Sequence, residues 1–448
     1  MATRIHKGYK FRIYPEAEQQ VFFAKSFGCN RFIWNHFLAE RQQFYLENKD
    51  KTDGKRSLNY YDNAAGLVKL KKQDATSWLT EVYSQCLQAE LKQLDSAYIG
   101  FFKGITKYPR FKSKSDKQSC KFPQGFSLEG GNLWAPKQKK PIKMVMHREF
   151  GANAEILTVT VSKTKTGKYF AAFCVEEDAA PLPKSDKSVG IDLGLTDFAT
   201  LSDGMVIKNP KIAWKQRKRL SFLQRRHSKK VKGSKNKEKA RVKLAKCHEK
   251  ITAKKQDFTH KLSRRIVDEN QVIAVEDLNV VGMMKNRRLA RSIGEVSWSE
   301  FTRQLEYKSE WAGRSFVQIG RFFPSSKLCQ CGHVNQGLKL SDRVWQCPKC
   351  NAMINRDANA ATNILRQGLN LLSEQKEKAE GKLPPATILA KPAKASKAKS
   401  GEGLPSDSKQ KLKEASKGVL AKAGKSRRVY ELRSPGKEIG SAGFQTGE

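Results

Sequence analysis

The chain has 448 residues, with 86 Lys+Arg against 44 Asp+Glu, a formal charge of +42. A protein so charged repels itself unless a polyanion neutralises it. No run approaches the ~20 apolar residues needed to span a bilayer, and no signal-peptide pattern opens the chain, which excludes a membrane-embedded reading. Of nine cysteines, Cys29, Cys86, Cys120, Cys174 and Cys247 stand singly, which is no disulfide framework and fits a reducing compartment. These properties predict a soluble, intracellular protein that holds nucleic acid mainly through phosphate contacts. On charge alone, a ribosomal or chromatin-type packing protein is the alternative.

In chain order, Gly8–Tyr14 alternates as a strand and is stopped by Pro15. Phe22, Phe23, Phe27, Phe32, Ile33, Trp34 and Phe37 recur at helical spacing. A second helical run covers Trp78 to Phe102, with Leu87, Leu91, Leu94 and Tyr98 on one face. These residues are read as core. Lys107–Ser115 interleaves Tyr108 and Phe111 with cations, a pattern shared by phosphate-plus-stacking surfaces and solvated loops. Ile142–Met146 and Ile156–Glu176 return to strand character, and Pro181–Ser188 reads as a linker. Strand, helical insert and strands predict a small β-barrel interrupted by a helical domain.

After the linker, Val189–Leu193 is a buried strand carrying Asp192 near its end, followed by strands at Phe198–Leu201 and Met205–Ile207. A basic helical region from Lys211 to Val267 breaks near Gly233–Ser234 into a hairpin. In its second arm Leu244, Ile251 and Phe258 fall seven apart, with Leu262 and Ile266 continuing the seam. Its Lys/Arg faces are a solvated surface or a rail for phosphates. Val272–Val275 is a strand ending in Glu276, then come the basic stretch Lys285–Arg291, a helix from Ser297 to Gly313, a strand at Phe316–Ile319 and a helix starting near Asp357. This is the order of elements in the ribonuclease H fold, which gathers carboxylates from its first and fourth strands and its last helix. In-line phosphodiester hydrolysis uses one metal to activate water and another to stabilise the leaving oxygen, ~3.5–4 Å apart. Hard cations such as Mg²⁺ take carboxylate oxygens. Asp192, Glu276 and Asp357 are the candidate ligands by type and element, whereas Asp197 and Asp277 read as supporting or surface residues.

Between Ile319 and Asp357 lie two cysteine pairs. Cys347-Pro348-Lys349-Cys350 has the spacing of a zinc knuckle. Cys329-Gln330-Cys331 has one residue fewer between its thiols, and His333 stands close enough to replace one of them. Four protein ligands make a structural Zn²⁺ site with no position open to water; the alternative is that the cysteines only pack. Arg343 and Trp345 face a nucleic-acid strand or, for Trp345, the ribbon core.

Together RIYP, NRFIWNHFL (30–38), YPRFKSK (108–114), GIDLG (190–194), VEDLNV (275–280), NRRLARSI (286–293), FPSSKLCQCG (323–332), WQCPKC (345–350) and NRDANAATNI (355–364) resemble the TnpB family. These are the RNA-guided nucleases of small insertion sequences, related to type V CRISPR effectors. The resemblance runs from about residue 4 to 368. It implies a multidomain α/β protein: a wedge β-barrel (1–15 and 125–182) interrupted by a helical recognition domain (16–124), and a RuvC-type, ribonuclease H-like nuclease (183–320 and 354–370). A zinc-ribbon insert (321–353) and a disordered basic tail (371–448) complete it. It further implies RNA-guided cleavage of double-stranded DNA beside a short motif. The guide RNA comes from the element's own end and one protomer serves each guide, in the cytoplasm or nucleoid of a prokaryotic cell. Asp192, Glu276 and Asp357 match the family's Mg²⁺-binding triad, and Cys329, Cys331, Cys347 and Cys350 its zinc ligands. The chain departs from the pattern in the short first cysteine pair and in Asn355, commonly an Asp. A guided repressor that does not cut, and a transposase acting in strand transfer, are the alternative functions.

Overall fold

The computed structural model describes residues 3–339 and 341–379; most of the predicted disordered tail lies outside these residues. Of the described residues, all but 70–78 belong to one compact unit. No helix among them is long and apolar enough to cross a membrane.

The amino-terminal half contains β1 (Arg4–Tyr14), α1 (Ala17–Asn48), α2 (Tyr60–Lys72), α3 (Ser84–Phe102), β2 (Gln118–Phe122), β3 (Ser127–Glu129), β4 (Asn132–Trp134), β5 (Lys143–Val145), β6 (Glu155–Lys163) and β7 (Tyr169–Asp178). Five of the strands form an antiparallel sheet in the order β2-β6-β7-β1-β5. Alternation aims Phe11 and Ile13 of β1, Val159 and Val161 of β6, and Ala171, Phe173 and Val175 of β7 into one core, which Phe23 and Phe27 of α1 cover. Of the aromatic run of α1, Phe23, Phe27, Trp34 and Phe37 are buried, as their spacing predicts, while Phe22 and Phe32 are half-buried. The second helical run starts at Ser84 rather than Trp78.

The second half contains β8 (Ser188–Leu193), β9 (Asp197–Leu201), β10 (Val206–Lys208), α4 (Ile212–Lys215), α5 (Arg217–Ser228), α6 (Lys235–Glu269), β11 (Val272–Glu276), α7 (Val280–Met283), α8 (Ala290–Val296), α9 (Trp298–Ala312), β12 (Ser315–Ile319), β13 (Val344–Gln346), β14 (Met353–Asn355) and α10 (Arg356–Ala379). The hairpin break falls at residues 229–234, where Gly233 takes φ +88° and Ser234 Oγ caps α6 by accepting from Lys237 N–H at 3.1 Å. A second five-stranded sheet has the order β10-β9-β8-β11-β12. Strands β8, β9 and β10 form an antiparallel meander, while β11 and β12 join parallel beyond β8.

The two-residue period of a strand divides this sheet into two faces. Val189, Ile191, Ile273 and Val275 meet α6 and α9 through Ile266, Val267, Phe301 and Leu305. The alternate positions, Gly190, Asp192, Ala274 and Glu276, face α10, whose Ile364 packs with Ala274 and Ile319. Small residues let the helix lie close. A Cβ at Gly190 would overlap the carbonyl oxygen of Ala361 and lie 2.6 Å from the amide nitrogen of Leu365. One at Gly368 would lie 2.5 Å from the Cβ of Ala274. Helix α10 continues to Ala379, so residues 371–379, placed in the tail by the sequence reading, are helical.

Gly190→Ala is expected to force α10 off the sheet and destabilise the protein by about 1–3 kcal/mol or more. Gly28→Ala, within α1 and with open space where the added Cβ would sit, is expected to be neutral or stabilising by up to ~1 kcal/mol. Denaturant unfolding of both variants against the parent measures the contrast.

Candidate active site

The Ile191–Val275 pair in the parallel β8/β11 ladder sets Asp192 beside Glu276 on the α10 face. The amino-terminal turn of α10 carries Asp357 to the same end. The segment following β12 closes the side, and the result is a cavity of about 270 Å³ lined by Asp192, Glu276, Asp357, Arg356, Ser325 and Lys327, among others. All three predicted carboxylates thus line one space. Asp197 and Asp277 do not line it: Asp197 pairs with Lys208 at 3.0 Å, and Asp277 with Arg321 at 2.7 Å.

Four further sets of contacts hold this arrangement. Ser325 Oγ donates to Glu276 Oε1 at 2.8 Å. Asn363 Nδ2 on α10 donates to the carbonyls of Ser325 (2.9 Å) and Leu328 (2.6 Å), and Asn359 Nδ2 donates to Leu328 at 2.8 Å. The side chains of Asn359 and Asn363, four residues apart on one helical face, so tie the cavity wall to α10. Asn355 caps α10 by accepting from Ala358 N–H at 3.1 Å. Arg343, at the edge of β13, reaches both oxygens of Asp357 with Nη1 at 3.1 Å.

The electrostatics are those of anions crowded together. Burial, and then the charges of Glu276 and Asp357, push the carboxyl of Asp192 up to about 7, against the opposing pull of Arg356 and Arg343. Burial also raises Glu276, partly offset by the Ser325 hydrogen bond. Carboxylates that raise one another's pKa in a partly desolvated cavity mark it as a candidate functional site.

The cysteines meet as well. The Sγ atoms of Cys329, Cys331, Cys347 and Cys350 all lie within 4.8 Å of one another, with Cys329–Cys350 at 3.5 Å and Cys331–Cys347 at 3.6 Å. A tetrahedron with Zn–S bonds of ~2.3 Å has edges of about 3.8 Å, so this group can hold a metal ion. Burial works against ionising Cys347, but the backbone N–H groups of Cys350 and Lys349 and the neighbouring thiols bring it down to about 6. The short Cys329-Gln330-Cys331 pair is accommodated by a tight turn in which Gly332, at φ +85°, donates its N–H to the Cys329 carbonyl at 3.0 Å. His333, the alternative ligand, gives its backbone carbonyl to Cys329 N–H at 2.8 Å. Trp345 is buried against Cys329 and Cys347 and so is ribbon core.

Comparison with known proteins bears on the family to which the chain belongs. The family model OrfB_IS605, "Probable transposase", matches residues 172–287. A Cas12f1-like TNB domain matches 298–364, and a helix-turn-helix domain model matches 1–50. A Streptomyces pristinaespiralis protein, named as an inferred RNA-guided DNA endonuclease, is 40% identical over 372 residues, 82% of this chain and 91% of its own. The chain belongs to the TnpB family. The Escherichia coli K12 protein InsQ, named in the same way, is 31% identical across 82% of this TnpB-family chain and 93% of its own length. A solved Cas12f1–sgRNA–target DNA complex aligns with 81% of the chain and 98% of its own at 15% identity and a TM-score of 0.49. Within residues 1–50 this TnpB-family chain has β1 and one uninterrupted helix, α1, rather than two helices joined by a turn.

Sequence reasoning missed Ser325, Lys327, Arg356, Asn359 and Asn363 as parts of the site and did not connect Arg343 to Asp357. The usable signal was the polar SSK run in the loop that follows β12, and the i, i+4 asparagines inside an alanine-rich helix.

A buried carboxyl with a raised pKa stabilises the fold fully below the ordinary carboxylate range and loses that contribution as pH rises through about 7. In chelator, Asp192→Asn should therefore melt like the parent near pH 4 and above it at pH 8. Thermal denaturation across that range gives the difference; a gap that stays constant with pH would contradict the assignment.

Proposed function

We propose that this chain is an RNA-guided DNA endonuclease that hydrolyses double-stranded DNA matched to its guide, beside a short motif, with Asp192, Glu276 and Asp357 as the metal-binding catalytic triad. The observation that carries the reading is the convergence of these three carboxylates, from two strand ends and a helix start, on one cavity in a TnpB-family chain of charge +42. The order of the second sheet, an antiparallel meander joined by two parallel strands with α10 on one face, supports a ribonuclease H-like domain of RuvC type. The first sheet and helices α1 to α3 are then the wedge barrel and its recognition insert. The cysteine ribbon is a structural zinc module inserted into the nuclease to grip target strands. The partners are a guide RNA from the mobile element's end and the matched DNA, one protomer to each guide, in a prokaryotic cytoplasm or nucleoid.

The donor set fits Mg²⁺, since it is all oxygen and its carboxylates repel one another until a cation joins them. Such ions, when bound, activate the attacking water and stabilise the leaving oxygen. The protein's own groups do the positioning. Ser325 fixes one oxygen of Glu276, leaving the other for a cation. Lys327 and Arg356 line the same space and offer positive charge to the scissile phosphate. Arg343 holds Asp357 in place and is set to meet the same phosphate.

Asp192→Ala is expected to lower cleavage of guide-matched DNA on the order of 10³-fold or more while leaving the co-purified RNA in place, and EDTA should stop cutting by the parent. Undiminished cutting by this variant would overturn the triad; guided binding without cutting by the parent would favour the repressor, and joined products the transposase. Metal analysis should find one zinc per chain, and Cys347→Ser should lose it and lower the melting temperature. Zinc-free parent protein would leave the ribbon a packing unit.

A further inference from the structure

A second cavity, of about 480 Å³, lies on the opposite side of the meander from α10, among the β8–β9 turn, α4, α6 and α8. Its size suits a nucleotide-sized ligand. Phe258 of α6 lines it and meets Phe198 edge-on at 5.0 Å, which keeps that wall rigid. Two features of the lining lack a structural purpose. Trp214 is 61% exposed, although an indole that only packed would be buried. Lys255 is half-buried, and among the described residues no carboxylate lies within ion-pair distance of it; its hydrogen bond, to the Gly294 carbonyl, is 3.5 Å long. Burial lowers the pKa of its ammonium, and Glu295, which also lines the cavity, attracts it only at longer range.

The rim is fixed and cationic. Asn209 anchors it by donating Nδ2 to the Leu195 carbonyl at 2.9 Å and accepting from Lys211 N–H at 3.0 Å. Lys211 lines the cavity, and the exposed Arg217, Lys218 and Arg219 follow at the start of α5. An exposed aromatic, a half-buried ammonium without a close counter-ion and a cationic approach match an aromatic base joined to a phosphate, not the apolar face of a protein helix.

We propose that this cavity captures one unpaired nucleotide of the bound nucleic acid, with its base stacked on Trp214 and its phosphate met by Lys255 and Lys211. The inference rests on the guided-nuclease reading and adds to it a nucleotide site remote from the carboxylates. Leu195, at the cavity edge, is three residues beyond Asp192, so an occupant touches the loop leaving the catalytic strand.

The test uses the complex purified with its own RNA, with and without matched DNA, irradiated in the ultraviolet and digested for mass spectrometry. A nucleotide adduct is expected on the peptide containing Trp214. A ribonucleotide adduct in the absence of DNA identifies the guide as its source; a deoxynucleotide adduct only after DNA is added identifies the target. Trp214→Ala should weaken binding of that same strand roughly 5- to 150-fold, Lys255→Gln should weaken it too, and Trp214→Phe should restore most of the affinity. Adducts elsewhere but none on this peptide, with parental affinity in Trp214→Ala, would overturn the site and leave the guided reading standing. So would loss of a protein–protein association in place of nucleic-acid affinity. Protein that binds no RNA at all would overturn the guided reading and this site with it.

Discussion

The close approach of α10 to β8 at Gly190 is the contact on which the second half of the molecule depends. At that point a helix backbone lies against a strand with no side chain between them. This lets the first turn of α10 bring Asp357 to the ends of β8 and β11, and places Asn359 and Asn363 where they can bind the wall at Ser325 and Leu328. Widening the gap by one methyl group would disturb the helix, the wall and, through Ser325, the orientation of Glu276. Packing and chemistry are coupled here because one helix carries both.

Charge works in opposite directions at two scales. Over the whole chain an excess of cations must be neutralised from outside, which favours association with a polyanion. Within the cavity three carboxylates crowd together, and Arg343 and Arg356 offset only part of the repulsion felt at Asp192. A phosphate drawn by the overall charge would be repelled by these carboxylates unless a cation lay between them. The same chain can therefore attract a polyanion overall while holding a small cluster of carboxylates at one point.

Much of this was legible in the sequence. Strict alternation and short apolar runs gave β8, β11 and β12 nearly residue for residue, and the positions of Asp192 and Glu276 at strand ends followed. The hairpin between α5 and α6 was marked by Gly233–Ser234. Long-range contacts were less legible. Nothing local distinguishes Gly190 from a turn glycine, because its role depends on a helix some 170 residues later. Arg343 joins the site because β13 pairs with β14 and Arg356 N–H donates to the Arg343 carbonyl at 2.9 Å; no periodicity carries that information. The short cysteine pair departed from the knuckle spacing, yet its sulfurs converge, since the turn at Gly332 supplies the curvature that a missing residue would have given.

The central claim is that the guide selects what the carboxylates cut, and re-addressing the complex measures it most directly. The co-purified RNA is sequenced, its variable segment is replaced, and a library of DNA targets is presented in Mg²⁺. The account predicts that cutting moves to the new matching sequence and ceases at the old one. Cutting that ignores the replacement, or a co-purified RNA with no defined sequence, would contradict it.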